Sequence, residues 1–203
     1  MSGTASPQNA VPAGQLSALR VPRTVTLVGL MGAGKSAIGR KLAQRLGLPF
    51  VDADTEIEQA AGCSIDEIFD RFGEAAFRQG ERRVMDRLLD GPMCVLATGG
   101  GAFMDPDIRA KIKRRTISVW LYAELDVLLR RVSRRNNRPL LKRGEPREVL
   151  ERLMAERYPV YAEADIRIDS DDAPSDATAD RLERALAAHI EANGIGPLSE
   201  TGQ

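Results

Sequence analysis

Short apolar runs alternate along the chain with segments in which apolar residues recur at helical spacing. The largely apolar residues 25–28 are typical of a strand buried in a sheet. Ile38, Leu42 and Leu46 then recur every fourth residue, and Gly47 follows them as a plausible helix C-cap. This strand and helix begin a series that continues almost to the C-terminus.

The same pattern predicts further strands with helices between them. The strands are expected at residues 49–51, 93–97, 116–121 and 166–168. The helices are expected from a capping box at residues 64–67 to Gly73, over 74–90, from Asp105 and Pro106 onward, over 124–132, from Pro146 to Pro159, and around Leu182, Leu186 and Ile190. We therefore predict an α/β protein, a three-layer α/β/α sandwich with a central, mostly parallel five-stranded sheet. In such sheets ligands bind beyond the carboxyl ends of the strands.

One long domain and two tails are expected. Residues 1–23 are rich in Ser, Pro, Ala, Gly and Gln without a hydrophobic period, so we expect a flexible N-terminal tail. This tail has no apolar segment typical of a secretory signal, and its only basic residues, two arginines, make a poor transit peptide. Residues 24–192 are expected to form a single domain, and residues 193–203 a flexible C-terminal tail.

Composition excludes several classes of function. Basic and acidic residues balance at 29 each, so overall charge gives no reason to expect a nucleic acid or a membrane as partner. No apolar run approaches the length of about 20 residues that crosses a bilayer. Cys63 and Cys94 form neither a metal-site spacing nor a disulfide framework, which favours a cytoplasmic location. His189 is the only histidine and falls late in the last predicted helix, which excludes a histidine-rich metal site and argues against Ser-His-Asp catalysis.

Residues 29–36, with the sequence GLMGAGKS, carry the most informative chemistry. They match G-x-x-x-x-G-K-[ST], the loop that cradles nucleotide phosphates, and they stand between the first predicted strand and helix. The glycines let backbone N–H groups close around phosphate oxygens, and the helix N-terminus adds partial positive charge. The motif places Lys35 on the β- and γ-phosphates and Ser36 on Mg²⁺.

Two carboxylates, Asp52 and Asp54, follow the second predicted strand. If the segment is extended, alternation places both side chains on the same side. One carboxylate is then suited to hold Mg²⁺ through water, and the other to accept a hydrogen bond from a substrate hydroxyl, as in phosphoryl transfer. The alternative is a solvated loop in which an aspartate caps a helix.

Three further groups are candidates for binding a second substrate. Arg78 and Glu81 share a face of a predicted helix, so Glu81 can orient the Arg78 guanidinium toward a substrate carboxylate; the alternative is a surface ion pair. Residues 99–101 are consecutive glycines after a predicted strand, where a ligand can approach the backbone closely. Arg157 is expected at a helix end set by Pro159, although such an arginine often only interacts with the helix dipole.

One segment of the neutral chain is strongly basic. Residues 130–143 contain seven basic residues and no acid, and an Asn-Asn pair with Pro139 interrupts any helix there. In a phosphate-binding protein such a loop is a candidate mobile lid that excludes water, and we place it at residues 133–146. A solvated face or a weak nucleic-acid patch is the alternative.

Together these groups resemble shikimate kinase, of the nucleoside-monophosphate-kinase-like branch of phosphate-loop proteins. The matching positions follow the family's order and similar spacing over roughly residues 25–190. They are residues 29–36, Asp52 and Asp54, Phe77 with Arg78 and Glu81, residues 99–101, residues 138–141, and Arg157 with Pro159 and Tyr161. The phosphate loop alone would be generic, whereas the whole set is specific.

The resemblance implies that the chain phosphorylates the 3-hydroxyl of shikimate with ATP, giving shikimate 3-phosphate and ADP on the route to aromatic amino acids. The implied nucleotide site comprises Gly32, Ala33, Gly34, Lys35, Ser36, Ala37, Arg131 and Arg138. The implied shikimate site comprises Asp54, Arg78, Gly100, Gly101 and Arg157, and the implied Mg²⁺ site Ser36 and Asp52. Lys35, Asp54 and Arg138 are the implied catalytic residues.

Within these implied sites, Asp54 bonds the reacting hydroxyl and can act as its base. Arg131 is similar to the arginine that stacks on adenine, and Arg138 in the lid meets the transferring phosphate. We expect a monomer.

Two other interpretations stay open at this point. Another small-molecule kinase of the same fold, such as a gluconate kinase, would also use the phosphate loop, but it has no reason to keep both Arg78 and Arg157. A nucleotide- or shikimate-sensing regulator on the same scaffold would be expected to lack a catalytic group, whereas all the groups named above are present.

Overall fold

The computed structural model describes residues 19–133 and 145–198. Parallel strands form the centre of this part of the chain, and they are β1 (Thr24–Val28), β2 (Phe50–Asp52), β3 (Val95–Ala97), β4 (Thr116–Tyr122) and β5 (Ile166–Asp169). They form one five-stranded sheet in the order β2-β3-β1-β4-β5, and every neighbouring pair is parallel. The predicted central sheet is therefore confirmed.

Helices cover both faces of the sheet. They are α1 (Lys35–Leu46), α2 (Ala53–Ala61), α3 (Ile65–Leu89), α4 (Pro106–Arg115), α5 (Leu125–Ser133), α6 (Pro146–Tyr161) and α7 (Ser175–Asn193), with a 3-10 turn at Ala102–Met104. Because crossovers between parallel strands are right-handed, the strand order puts α1 on one face and α3, α4 and α6 on the other. Helix α7 returns to pack against α1, and α5 packs against α6. This is the three-layer arrangement that the sequence predicts.

The three central strands β1, β3 and β4 are largely buried, and most of their positions are apolar. Leu27, Leu96 and Leu121, on three adjoining strands, are at most 1% exposed. Burying a side chain of this size stabilises the fold by about 1.5–3 kcal/mol. The strands therefore form a rigid base, and the loops at their carboxyl ends are held in fixed positions.

Residues 52–54 differ from the extended segment expected from the sequence. Asp52 ends β2 and is the N-cap of α2, and its side chain accepts a hydrogen bond from the Asp54 N–H at 3.2 Å. Ala53 and Asp54 are already helical, so the expected strand-like alternation is wrong here. The physical reason is the cap itself, because the Asp52 carboxylate satisfies an N–H that the helix start leaves without a partner. Asp52 therefore caps a helix, as the alternative held, and its assignment to Mg²⁺ stays a prediction.

The helix ends predicted at Gly73 and at Pro159 have different outcomes. Gly73 breaks α3 with a φ of 80°, and the chain becomes helical again directly after this kink, as predicted. Pro159 was expected to end a helix, but it lies inside α6, which continues to Tyr161. Proline removes one hydrogen bond to the preceding turn, and so near the end of a helix it interrupts little of the ladder.

Parts of several predicted segments lie outside the described residues. These parts are residues 1–18, most of the predicted lid including Arg138, and residues 199–203. Residues 19–23, which the sequence assigned to the tail, contact the domain, since Val21 is buried and the Arg23 Nε donates to the Gly196 carbonyl at 3.1 Å. Within the described ranges, no helix combines the length and the apolar character needed to cross a membrane.

Candidate active site

The loop between β1 and α1 has the geometry of a phosphate cradle. Gly32 and Gly34 have φ angles of 84° and 93°, in the left-handed region that glycine adopts without strain. Gly34 is the N-cap of α1 and makes no side-chain cap, so no capping side chain competes for the N–H groups of the first helical turn. The loop and the helix N-terminus together are suited to bind an anion.

Lys35 and Ser36, the first two residues of α1, contact the loop and the end of β2 respectively. The Lys35 Nζ donates to the carbonyl oxygens of Gly29 at 2.7 Å and Leu30 at 3.1 Å, so the ammonium lies over the loop. The Ser36 hydroxyl donates to the Asp52 carboxylate at 2.7 Å. The structure therefore brings together the hydroxyl and the carboxylate that the sequence assigned to a metal ion.

The chemistry of this oxygen pair fits a hard divalent cation. Hydroxyl and carboxylate oxygens are the ligands that Mg²⁺ accepts, and it usually keeps several waters and binds substrate phosphates. Across residues 19–133 and 145–198, no group of three or more His, Cys, Asp and Glu side chains is placed to hold a metal ion. Any cation here would therefore depend on phosphate and water for most of its ligands.

Asp54 lies in the first turn of α2 against the glycine turn that follows β3. A Cβ at Gly99 would lie 2.7 Å from the Asp54 Oδ1 and 3.0 Å from the Glu81 Oε1. Both distances are below or at the limit of ordinary contact, so the missing side chain makes room for two carboxylates. The requirement for glycine at this position comes from the site and not from the turn.

Changing Gly99 to Ala is expected to lower kcat by about 100-fold, because the new methyl group displaces Asp54 and a displacement near 1 Å costs that order in rate. Steady-state kinetics and circular dichroism of the variant measure rate and fold. Gly80→Ala is the matched control, since a Cβ at Gly80 on α3 meets nothing within 4 Å. Unchanged kcat in a folded Gly99→Ala protein would contradict the conclusion that Gly99 leaves the space in which Asp54 is positioned.

The predicted pairing of Arg78 with Glu81 is confirmed. The Arg78 Nη1 lies 2.7 Å from the Glu81 Oε2, and its Nη2 lies 3.2 Å from the Glu74 Oε1. Burial raises the pKa of the Glu81 carboxyl, and the Arg78 contact opposes that rise. A Cβ at Gly101 would lie 2.5 Å from the Arg78 Nη1, so this guanidinium lies directly on the glycine turn.

Arg157 differs from Arg78 because its charge is buried without a carboxylate. The residue is 8% exposed, and its Nη1 donates to the Gly100 carbonyl at 2.9 Å. Its Nε is buried and has no hydrogen-bond partner in the described part of the chain. No carboxylate among those same residues forms an ion pair with it. Burying an unpaired charge is costly, so we expect this guanidinium to bind an anionic ligand.

Arg131 also lines the site and lies against the phosphate loop. Its Nη1 donates to the Gly32 carbonyl at 3.2 Å and to the Ser170 hydroxyl at 2.9 Å, and its Nη2 donates to the Asp171 carbonyl. These contacts fix the guanidinium between the phosphate loop and the turn after β5. The position agrees with a place beside the nucleotide, and stacking on adenine stays a prediction.

One cleft of about 1310 Å³ collects these groups at the carboxyl edge of the sheet. Its lining includes Lys35, Asp54, Arg78, Arg131 and Arg157. The phosphate loop with Arg131 forms one region of the cleft, and the two other arginines with the glycine turn form a second. Asp54 is joined to the first region through Asp52 and touches the second at Gly99.

Comparison with known proteins settles the family. A family model described as shikimate kinase matches residues 31–187, which is most of the chain. The chain belongs to the shikimate kinase family. It is 59% identical over 172 residues to a shikimate kinase of Paramagnetospirillum magneticum, covering 85% of this chain and 88% of that relative. It is 52% identical over 190 residues to a shikimate kinase of Bradyrhizobium diazoefficiens, covering 94% of this chain and 92% of that relative.

A solved structure agrees with the sequence relatives. The shikimate kinase from Acinetobacter baumannii in complex with shikimate matches with a TM-score of 0.79 and 38% identity, over 82% of this chain and 93% of that one. Shikimate kinases use ATP to phosphorylate an alcohol group of shikimate, so the chain is an ATP-dependent small-molecule kinase. The predicted family, fold and reaction are confirmed, and the roles of single residues stay predictions.

Two contributors to this shikimate kinase site were missed by sequence reasoning. Ser170 holds Arg131 in place, and its position directly after β5, at the carboxyl end of a strand, is the signal that could have found it. Gly99 was noted only as part of a glycine run, and its specific closeness to Asp54 and Glu81 has no local signature. Both depend on contacts between segments that are distant in sequence.

Proposed function

We propose that this cleft transfers the γ-phosphate of ATP to the 3-hydroxyl of shikimate by binding the two substrates in its two regions. The observation that carries the proposal is the buried Arg157 guanidinium, which has no carboxylate partner in the described residues, in the same cleft as a phosphate cradle. Shikimate has one carboxylate and several hydroxyls. It therefore offers an anion to the arginines and a hydroxyl to Asp54.

The nucleotide side of the proposal uses the loop and the residues around it. Residues Gly32, Ala33, Gly34, Lys35, Ser36 and Ala37 surround the phosphates; the Ala33 N–H itself donates to the Leu30 carbonyl at 3.1 Å and so shapes the loop. The Lys35 ammonium contacts the β- and γ-phosphates and neutralises charge during transfer. Arg131 lies beside the adenine. Ser36, directly, and Asp52, through water, would hold Mg²⁺, which when bound neutralises phosphate charge.

The acceptor side positions shikimate by its carboxylate. Arg78 and Arg157 bind the carboxylate oxygens with their planar forks, and the backbone of Gly100 and Gly101 forms the adjoining wall. Asp54 accepts a hydrogen bond from the 3-hydroxyl. As the new O–P bond forms, Asp54 takes the hydroxyl proton, and ADP leaves with the electrons of the broken P–O bond. Positioning and charge neutralisation supply most of the rate enhancement.

Further parts of the proposal concern the whole chain. We place a lid at residues 133–146 and assign Arg138 to the transferring phosphate; both lie largely outside the described residues. We propose a cytoplasmic monomer with one domain, predicted at residues 24–192 and extended by the contacts of residues 19–23, acting on small molecules and not on nucleic acid or membranes. The zero net charge supports this choice of partners.

A coupled assay of ADP release tests the proposed function. Shikimate and gluconate are offered separately with ATP and Mg²⁺, and the product is identified as shikimate 3-phosphate. Turnover with shikimate and none with gluconate supports the proposal. Turnover with gluconate alone would favour the other kinase, and binding of both shikimate and ATP without transfer would favour a sensor.

Replacing Arg157 by alanine is expected to raise the KM for shikimate by about 10- to 100-fold, because one charge-assisted hydrogen bond contributes about 1.5–3 kcal/mol. The KM for ATP is expected to stay unchanged, and steady-state kinetics with each substrate varied separates the two. Arg147→Ala is the control, since Arg147 is an exposed residue of the same helix paired with Asp126 at 2.8 Å. A selective rise in the KM for ATP would contradict the carboxylate role.

A further inference from the structure

Two side chains one turn apart on α6 donate to the same backbone oxygen of the glycine turn. The Arg157 Nη1 donates to the Gly100 carbonyl at 2.9 Å, and the Tyr161 hydroxyl donates to the same oxygen. Gly100 and Arg157 both line the cleft. Tyr161 is 1% exposed, so its hydroxyl contacts the Gly100 carbonyl from the protein interior and does not meet a ligand.

The Tyr161 ring is held by aromatic neighbours from three elements. Its centroid lies 6.4 Å from that of Phe103 in the 3-10 turn, 6.2 Å from that of Trp120 in β4 and 6.3 Å from that of Tyr158 in α6. Tilted pairs at these distances are favourable, and the buried ring has little freedom to rotate. Burial also raises the pKa of the phenol to about 12, so the hydroxyl stays a donor at physiological pH. Tyr161 is therefore a fixed donor.

The Gly100 carbonyl, which accepts this hydrogen bond, belongs to a turn that is flexible unless it is anchored. Three consecutive glycines have more backbone freedom than any other tripeptide, so the turn is costly to order without an anchor. The peptide bond after Gly100 is trans, so its C=O and the N–H of Gly101 point in opposite directions. Anchoring the Gly100 oxygen to α6 consequently sets the orientation of both glycines that line the cleft.

We propose that Tyr161 is a positioning residue for the acceptor carboxylate: it holds the Gly100 peptide and, through the shared oxygen, fixes where the Arg157 guanidinium lies. This inference rests on the proposed function, because it assigns Tyr161 to the same carboxylate site. Tyr161 does not contact either substrate. Its effect is therefore on shikimate binding and not on nucleotide binding.

Kinetics of a Tyr161→Phe variant test the inference. Losing one buried hydrogen bond is expected to raise the KM for shikimate about 3- to 10-fold, with kcat and the KM for ATP unchanged. Tyr158→Phe is the matched control, because the Tyr158 hydroxyl donates to the Ala123 carbonyl from the same helix and the same aromatic cluster. A purely structural role would lower the thermal midpoint of both variants without separating their KM values for shikimate.

A double-mutant cycle with Arg157→Ala tests whether Tyr161 affects the KM for shikimate through Arg157. If Tyr161 acts through Arg157, the two changes are expected to be non-additive, and Tyr161→Phe raises the KM for shikimate less in the Arg157→Ala protein than in the wild type. An unchanged KM in Tyr161→Phe, an equal rise in Tyr158→Phe, or full additivity would overturn the inference. Tyr161→Met, which also lacks the hydroxyl, replaces the Phe variant if that protein does not fold. Failure of the wild type to phosphorylate shikimate would instead contradict the proposed function.

Discussion

Replacing Lys35 by alanine is expected to lower kcat by about 100- to 1000-fold or more, with the fold intact, because a single donor to the charge that develops in the transition state is worth that order. The Lys35 Nζ lies over the phosphate loop, on the carbonyl oxygens of Gly29 and Leu30. No other residue that we place in the nucleotide site carries an ammonium group there. Initial rates at saturating ATP and shikimate, with circular dichroism to verify the fold, measure the effect.

Lys41→Ala is the matched control for this change. Lys41 lies on the same helix, and its Nζ pairs with Asp176 at 3.2 Å on an exposed surface. Such a pair contributes little to stability and nothing to the cleft, so turnover should be unchanged. A near-normal rate in a folded Lys35→Ala protein would refute the assigned role.

Replacing Asp54 by asparagine is expected to lower kcat by about 10²- to 10⁴-fold, which is the range for loss of a positioned general base. Asparagine preserves the size of the side chain, so the space beside Gly99 stays filled. Helix α2 should persist, because its N-cap is the side chain of Asp52. The KM for ATP should change little, since Asp54 serves the acceptor. Rates with each substrate varied separate these effects.

The control for Asp54 is another carboxylate in the same cleft. Asp70 also lines the cleft and has no role in the proposed reaction. Asp70→Asn is therefore expected to keep the wild-type rate, which excludes a general effect of removing negative charge. Retention of most of kcat by Asp54→Asn would show that the carboxylate is not the base.

The elements that carry their signal locally were predictable from the sequence. The apolar runs and helical spacings located all five strands and most helices, because burial on both faces of a parallel sheet leaves a clear pattern. The phosphate loop was predictable because its chemistry requires fixed residues at fixed spacing. The Arg78–Glu81 pair was predictable because residues three apart on a helix are neighbours.

Other features could not be predicted from neighbouring residues alone. They depend either on two competing local conformations or on contacts between residues that are far apart in the sequence. Asp52 serves both as the last residue of β2 and as the cap of α2, and the sequence does not show which tendency decides the conformation of Asp54. The bond from Tyr161 to Gly100 joins residues 61 positions apart. The motif order named Tyr161, but only the packing of α6 against the glycine turn shows what its hydroxyl contacts.

In the proposed mechanism, one region of the cleft recognises the shikimate carboxylate while the other holds ATP. The most direct test compares kcat/KM of the wild-type enzyme for shikimate and for its methyl ester, which keeps every hydroxyl and removes the negative charge. We expect kcat/KM to fall about 100-fold or more for the ester, because charge-assisted hydrogen bonds from Arg78 and Arg157 are lost. Equal values of kcat/KM for the acid and the ester would contradict the claim.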